Sequence, residues 1–146
     1  MSRGLVVWMS GPSGSGKTTL AGLSRDLLER EGLRVKILDG DEVRRSATKT
    51  LGFSREDIEE NNRILTKLCA SQRDRQDVLL VSVISPFHKS RQAARDSFQD
   101  RFILVYIKAS VHTVAQRDPK GLYAQARKGL VRDVVGLPGG VPYEVP

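Results

Sequence analysis

The stretch "GPSGSGKTT", Gly11 to Thr19, carries the most chemical content in this chain. It matches G-x-x-x-x-G-K-[ST], a pattern that a chain this long meets by accident about once in 200. Gly11, Gly14 and Gly16 let the backbone curl so that its N–H groups, with those of Ser13 and Ser15 among them, point at one spot. A helix starting at Lys17 adds the positive end of its dipole. Such a cradle suits the phosphates of ATP. Lys17 is placed to reach the β- and γ-phosphates, Thr18 to ligate Mg²⁺, and Thr19 to bond the α-phosphate. The predicted chemistry is phosphoryl transfer. That reaction needs Mg²⁺, positive charge around the moving group and an oriented acceptor.

The acids for this task are in "ILDGDEVRR", where Asp39 and Asp41 flank Gly40. One is suited to accept a proton from an acceptor hydroxyl, the other to hold a metal-bound water. "ISPFHKSR", Ile84 to Arg91, contributes Ser85, which the turn at Pro86 is expected to leave facing the cleft, and the charges of His88, Lys89 and Arg91. "QRDPKGLYAQARKG" carries Arg117, Lys120, Arg127 and Lys128, a basic segment suited to a lid that closes over phosphates and excludes water.

These residues need a scaffold. Four apolar, β-branched runs predict strands over Leu5 to Met9, Val35 to Leu38, Val78 to Ile84 and Phe102 to Ile107. They are apolar almost throughout rather than alternating, as parallel strands buried on both faces are. Helical patterns lie between them. Lys17 to Glu31 shows Leu20, Leu23, Leu27 and Leu28 on a stripe expected to face the core, with Gly32 closing the helix. Arg55 to Arg75 is capped by Ser54 with Asp57 in a capping-box position, and Lys89 to Asp100 follows. The alternation predicts an α/β fold with a central parallel sheet and helices on both faces. Ligands then bind outside the carboxyl ends of the strands, where all these motifs fall. Two short helices, Val111 to Arg117 and Leu122 to Lys128, belong to a lid-like segment at about 108–135. One domain over 1–146 is expected, with an irregular "GLPGGVPYEVP" end and no further strand, so the fold is expected to lack a last strand and helix.

Composition narrows the partners. The 146 residues carry 39% hydrophobic and 28% charged residues, and no apolar run approaches the roughly 20 residues of a membrane span. Cys69 alone makes no internal disulfide and no cysteine zinc cluster, and the cytoplasm is the expected location. The net charge of +7 suits phosphate- or sulfate-bearing partners. The basic residues are dispersed without interleaved aromatics, which favours a small nucleotide over nucleic acid.

Taken in order, "GPSGSGKTTLA", "LDGDEVR", "LGFSREDIEENNR", "ISPFHKSR" and "RDPKGLYAQAR" resemble the motifs of the adenylylsulfate kinase family. The likeness runs along essentially the whole chain. It implies a P-loop nucleotide-kinase fold and transfer of the γ-phosphoryl of MgATP to the ribose 3′-hydroxyl of adenylyl sulfate. It also implies roles by position. Gly11 to Thr19 bind ATP phosphates, and Arg117 lies near the ATP base. Asp39 and Asp41 serve Mg²⁺ and the acceptor hydroxyl. Arg44 meets the acceptor's anionic group, Phe53 stacks on its adenine, Asn61 hydrogen-bonds it, and Ile84 and Ser85 line its site. Lys120 belongs to the lid. Ser85 matches a serine that family descriptions mark as a candidate phospho-intermediate, a step that direct in-line transfer does not require. A homodimer is compatible with the family.

The chain departs from the family on the acceptor side. Ile58 stands where the family keeps an arginine, Thr48 replaces an asparagine, Phe87 and His88 replace a tyrosine and an arginine, and Val134 belongs to a "VVG" that replaces "FTG". On a helix, Ile58 shares a face with Asn61, Leu65 and Leu68 and is expected to look toward the acceptor cleft. Three functions fit this sequence: adenylylsulfate kinase, a kinase of the same fold with another nucleotide or small hydroxyl acceptor, and a nucleotide-binding module without catalysis.

Overall fold

Each apolar run forms a strand in the computed structural model, which describes residues 4–46, 51–118, 121–129, 135 and 141–146. The strands are β1 (Leu5–Ser10), β2 (Val35–Asp39), β3 (Val78–Val83) and β4 (Phe102–Tyr106). They lie parallel in the order β2-β3-β1-β4. Ser10 pairs with Val83 and Tyr106, and Asp39 pairs with Ser82, so all four strands end at one edge. The loops that leave this edge carry the predicted chemistry.

Side chains alternate across the sheet as strand geometry requires. Val6, Trp8, Leu79 and Val81 face α3 (Arg55–Gln72) and α4 (His88–Phe98), packing with Leu65, Cys69, Ala94 and Phe98. Met9, Val78 and Leu80 face α1 (Lys17–Arg30) through Ala21 and Leu28. Both faces of the sheet are thus covered, which is why β1 and β3 read as continuous apolar runs.

The α1 stripe differs from expectation. Leu20, Leu23 and Leu27 are 40%, 60% and 60% exposed. The inward stripe is instead Lys17, Ala21, Ser24 and Leu28, one helical step round. A small residue at 21 lets the helix axis approach the sheet closely, and that places the larger leucines off the contact line.

Helix α2 (Gly40–Ser46) was not predicted. It begins at the residue after β2 and has one buried apolar side chain, Val43. Gly40 packs closely there: a Cβ would lie 3.0 Å from Val83 Cγ2 and 3.3 Å from the Ser82 carbonyl oxygen. Helix α3 starts as predicted, with Ser54 Oγ accepting the Asp57 N–H at 3.2 Å. The Asp57 carboxylate reaches back past the cap, to the N–H of Gly52 at 2.8 Å. After β4 come α5 (Val111–Arg117) and α6 (Leu122–Arg127). Among the described residues no fifth strand follows β4, and no helix is long and apolar enough to cross a membrane.

Candidate active site

A cleft of about 680 Å³ opens at the carboxyl edge of the sheet. Gly14, Gly16, Lys17, Thr18 and Thr19 form one wall, Asp39, Gly40, Asp41 and Arg44 a second, and Ile84 and Arg117 close it. Sequence motifs far apart in the chain therefore meet in one space.

The phosphate wall follows from the glycines. Gly16 has φ 106°, a left-handed conformation that frees the turn into α1. Lys17 is almost fully buried and donates from Nζ to the carbonyls of Gly11 and Pro12, both at 2.8 Å. Its ammonium is held against its own loop. The Ser15 hydroxyl is buried without a hydrogen-bond partner, which fits a site built for an incoming acceptor such as a phosphate oxygen. Thr18 and Thr19 are exposed to the cleft.

The acidic wall is a short relay. Asp39 Oδ1 accepts the Asp41 N–H at 2.8 Å, and Asp41 Oδ1 accepts from Arg44 Nη1 at 3.0 Å. The Arg44 guanidinium also lies 4.6 Å from the centroid of the Phe53 ring. Burial lowers its pKa, opposed by the charges of Asp39 and Asp57. One arginine thus joins the acid turn to the aromatic residue predicted to stack on the acceptor. Asn61, fully buried, donates from Nδ2 to the Gly40 carbonyl at 3.1 Å, and its Oδ1 has no partner.

Three expectations on the acceptor side are corrected. Ser85 does not face the cleft: it is 0% exposed and donates its hydroxyl to Asn62 Oδ1 at 2.6 Å. Arg91 does not offer free charge. It is buried, and its guanidinium donates to the carbonyls of Ser85 and Glu144 and meets His88 Nδ1. Ile58 does not look into open cleft. It is 1% exposed and packs with Ile84, Phe87 and Val135, behind the wall that Ile84 presents. Arg55 stacks 4.1 Å over the Phe87 ring of that cluster and pairs with Glu59.

Beyond β4, the basic segment docks on the phosphate loop. Arg117 Nη1 donates to the Gly14 carbonyl at 3.3 Å, and the Tyr123 hydroxyl donates to the Ser13 carbonyl at 2.8 Å. Asp118, at φ 29°, accepts the N–H groups of Tyr123 and Ala124, both at 3.0 Å, and so caps α6. Lys120, Thr48 and Val134 lie outside the described residues. A strap over 141–146 ties β1, β4 and the turn after β3 together. Tyr143 shares a short hydrogen bond with Ser10 Oγ and stacks on Tyr106, and the Glu144 N–H donates to the Pro86 carbonyl at 2.7 Å.

Asn62, Tyr123 and Tyr143 escaped the sequence. Each bonds a residue at least 23 positions away, and no local pattern marks such a partner.

A phosphate cradle that opens onto an acid turn, at the carboxyl edge of a parallel β2-β3-β1-β4 sheet, defines a phosphotransferase of the P-loop kinase class. Residues 3–146 match the family model for adenylylsulphate kinase, and the chain belongs to that family. It is 40% identical over 141 residues to a probable adenylyl-sulfate kinase of Archaeoglobus fulgidus, covering 97% of this chain and 89% of that one. It is 43% identical over 144 residues to an adenylyl-sulfate kinase of a Synechococcus species, covering 99% and 80%. Its fold matches the Mycobacterium tuberculosis APS kinase in complex with AMPPNP and APS, with a TM-score of 0.91 and 37% identity, over 100% of this chain and 85% of that one.

Proposed function

We propose that this chain transfers the γ-phosphoryl group of ATP to the ribose 3′-hydroxyl of adenylyl sulfate, giving 3′-phosphoadenylyl sulfate and ADP. The observation that carries this is the meeting of Lys17, Thr18 and Thr19 with Asp39, Asp41 and Arg44 in one cleft. The relative bound to AMPPNP and APS, so close in fold, supports both substrates.

On the donor side, the loop from Gly11 to Gly16, with Ser13 and Ser15, holds the triphosphate. Lys17 leaves the Gly11 and Pro12 carbonyls to meet it, Thr19 bonds the α-phosphate, and Arg117 flanks the base. The Thr18 hydroxyl and the Asp39 carboxylate are hard oxygen donors facing one cleft, which fits Mg²⁺. The described residues offer no cluster of three or more His, Cys, Asp or Glu, so phosphate and water oxygens would complete its shell. Bound there, Mg²⁺ supplies neutralisation of the triphosphate charge.

On the acceptor side, Asp41 accepts the proton of the 3′-hydroxyl as it attacks in line. Arg44 holds the acceptor's anionic group, Phe53 stacks on the adenine, and Asn61, buried, supports the site from behind through its bond to the Gly40 carbonyl. Ile84 forms the apolar wall. The segment at about 108–135, with Lys120, acts as a lid on a single catalytic unit.

The test is direct. Purified protein is incubated with MgATP and adenylyl sulfate, and ADP and the 3′-phosphorylated product are measured. Product above the no-enzyme control is expected, and its absence sinks the proposal. Lys17→Ala is expected to reduce transfer by about 10³-fold or more; near-normal rates in that variant would reject the phosphate cradle.

A further inference from the structure

Asn61 and Asn62 are adjacent on α3, so their side chains leave the helix about 100° apart and reach different strand exits. Asn61 reaches Gly40, between the two aspartates at the end of β2. Asn62 reaches the exit of β3. Its Oδ1 accepts a hydrogen bond from the Ser85 hydroxyl at 2.6 Å, and its Nδ2 donates to the Ile58 carbonyl at 2.8 Å. Asn62 is 2% exposed and Ser85 0%. The Ser85 carbonyl is also engaged, by Ser10 Oγ at 3.1 Å and by Arg91 Nη1. The Ser85 hydroxyl proton and its carbonyl are therefore both engaged.

A serine becomes a nucleophile when a neighbouring base takes its proton. An amide oxygen accepts a hydrogen bond but is no base at ordinary pH. The hydroxyl is, besides, closed off from any phosphate. Ile84, one residue earlier, does line the cleft. What Asn62 fixes at Ser85 is transmitted through one peptide unit to that wall.

We propose that Asn62 is a positioning residue for the acceptor side: it locks Ser85 away from the cleft, fixes Ile84 against the acceptor, and keeps Ser85 from carrying a phosphoryl group. This rests on the proposed kinase reaction. The lock joins two buried side chains, one from α3 and one from the turn that follows β3.

The experiment compares wild type with Asn62→Leu, Ser85→Ala and the double variant. For each, KM for adenylyl sulfate, KM for ATP, calorimetric Kd for adenylyl sulfate and Tm are measured. Each single change strands one buried polar group and lowers Tm. The double change removes both groups, and Tm recovers. KM and Kd for adenylyl sulfate are expected to rise roughly 5- to 10-fold in all three variants, with KM for ATP within about twofold. A lock that serves only stability would let acceptor affinity recover with Tm in the double variant, and that result overturns the proposal. So does phosphoserine at position 85, found by peptide mass spectrometry after wild-type turnover with ATP. If wild type binds adenylyl sulfate but forms no product, the kinase reading falls, while the Kd comparison still decides the role of Asn62.

Discussion

The hydroxyl of Tyr123 donates to the carbonyl of Ser13 at 2.8 Å, tying α6 to the phosphate loop across 110 residues of chain. The tyrosine is 1% exposed, so the bond is made in a dry environment. Tyr123→Phe keeps the ring and removes only the donor. The expected result is a rise of roughly fivefold in KM for ATP, the worth of one buried hydrogen bond, with KM for adenylyl sulfate little changed. Steady-state kinetics with each substrate varied in turn checks this. A rise confined to the acceptor's KM would show that α6 serves the other half of the cleft.

Alkaline pH is expected to unfold the protein through two buried groups. Burial pushes the Cys69 thiol from 9.0 up to about 12. Burial, with the nearby Asp118 charge, pushes the Tyr123 phenol from 10.0 up to about 12. In both, the folded state holds the proton more tightly than the unfolded state. Their stabilisation is therefore complete below pH 9 and is lost as pH rises from 9 to 12. Cys69 alone contributes a slope of about 1.4 kcal/mol per pH unit between its two values, and Tyr123 adds to the fall above pH 10. Urea midpoints from pH 8 to 11 measure the slope. Cys69→Ala should flatten it; an unchanged slope would assign the fall elsewhere.

Arg44 does two things at once, pairing with Asp41 at 3.0 Å and lying 4.6 Å from the Phe53 centroid. A planar guanidinium can stack and donate from its edge together, and an ammonium cannot. Arg44→Lys should thus behave as a severe change despite keeping the charge. A rise of about tenfold in KM for adenylyl sulfate is expected. Equal KM values in the variant and wild type would remove Arg44 from the acceptor site.

Ile58 is a core residue, packed with Ile84, Phe87 and Val135. Ile58→Ala should cost about 2–5 kcal/mol of stability, as other buried isoleucine truncations do. Ile58→Arg should also lower stability, because the guanidinium would enter an apolar cluster without a partner. Chemical denaturation of both variants is the check. An Ile58→Arg protein as stable as wild type would show that the side chain escapes to the cleft.

The donor half of the site was legible because its signal is local. Glycine spacing, a strand before and a helix after are all contained in residues 5 to 30. The four strands were legible because a doubly covered parallel sheet demands unbroken apolar runs. Helix α2 was not, since a helix of seven residues with Val43 as its buried apolar side chain has no stripe to find. The leucines of α1 misled because hydrophobicity alone chose the face. Close approach to the sheet favours the smaller Ala21, and Leu20 and Leu23 are left to line the cleft. Ser85 and Ile58 were misplaced for one reason: what turns each inward lies on another element. Asn62 was hidden in a charged helix, and Phe87 beyond a proline.

The strap over 141–146 has a consequence for how the molecule comes to be. Ser10, the last residue before the phosphate loop, is bonded to a tyrosine 133 positions later. Contacts of such sequence separation form slowly, because the intervening chain must be ordered first. The ribosome releases β1 and the loop long before Tyr143 exists. The Ser10–Tyr143 bond therefore waits until Tyr143 has emerged, and a nascent chain carries its phosphate-binding motif before that tie exists.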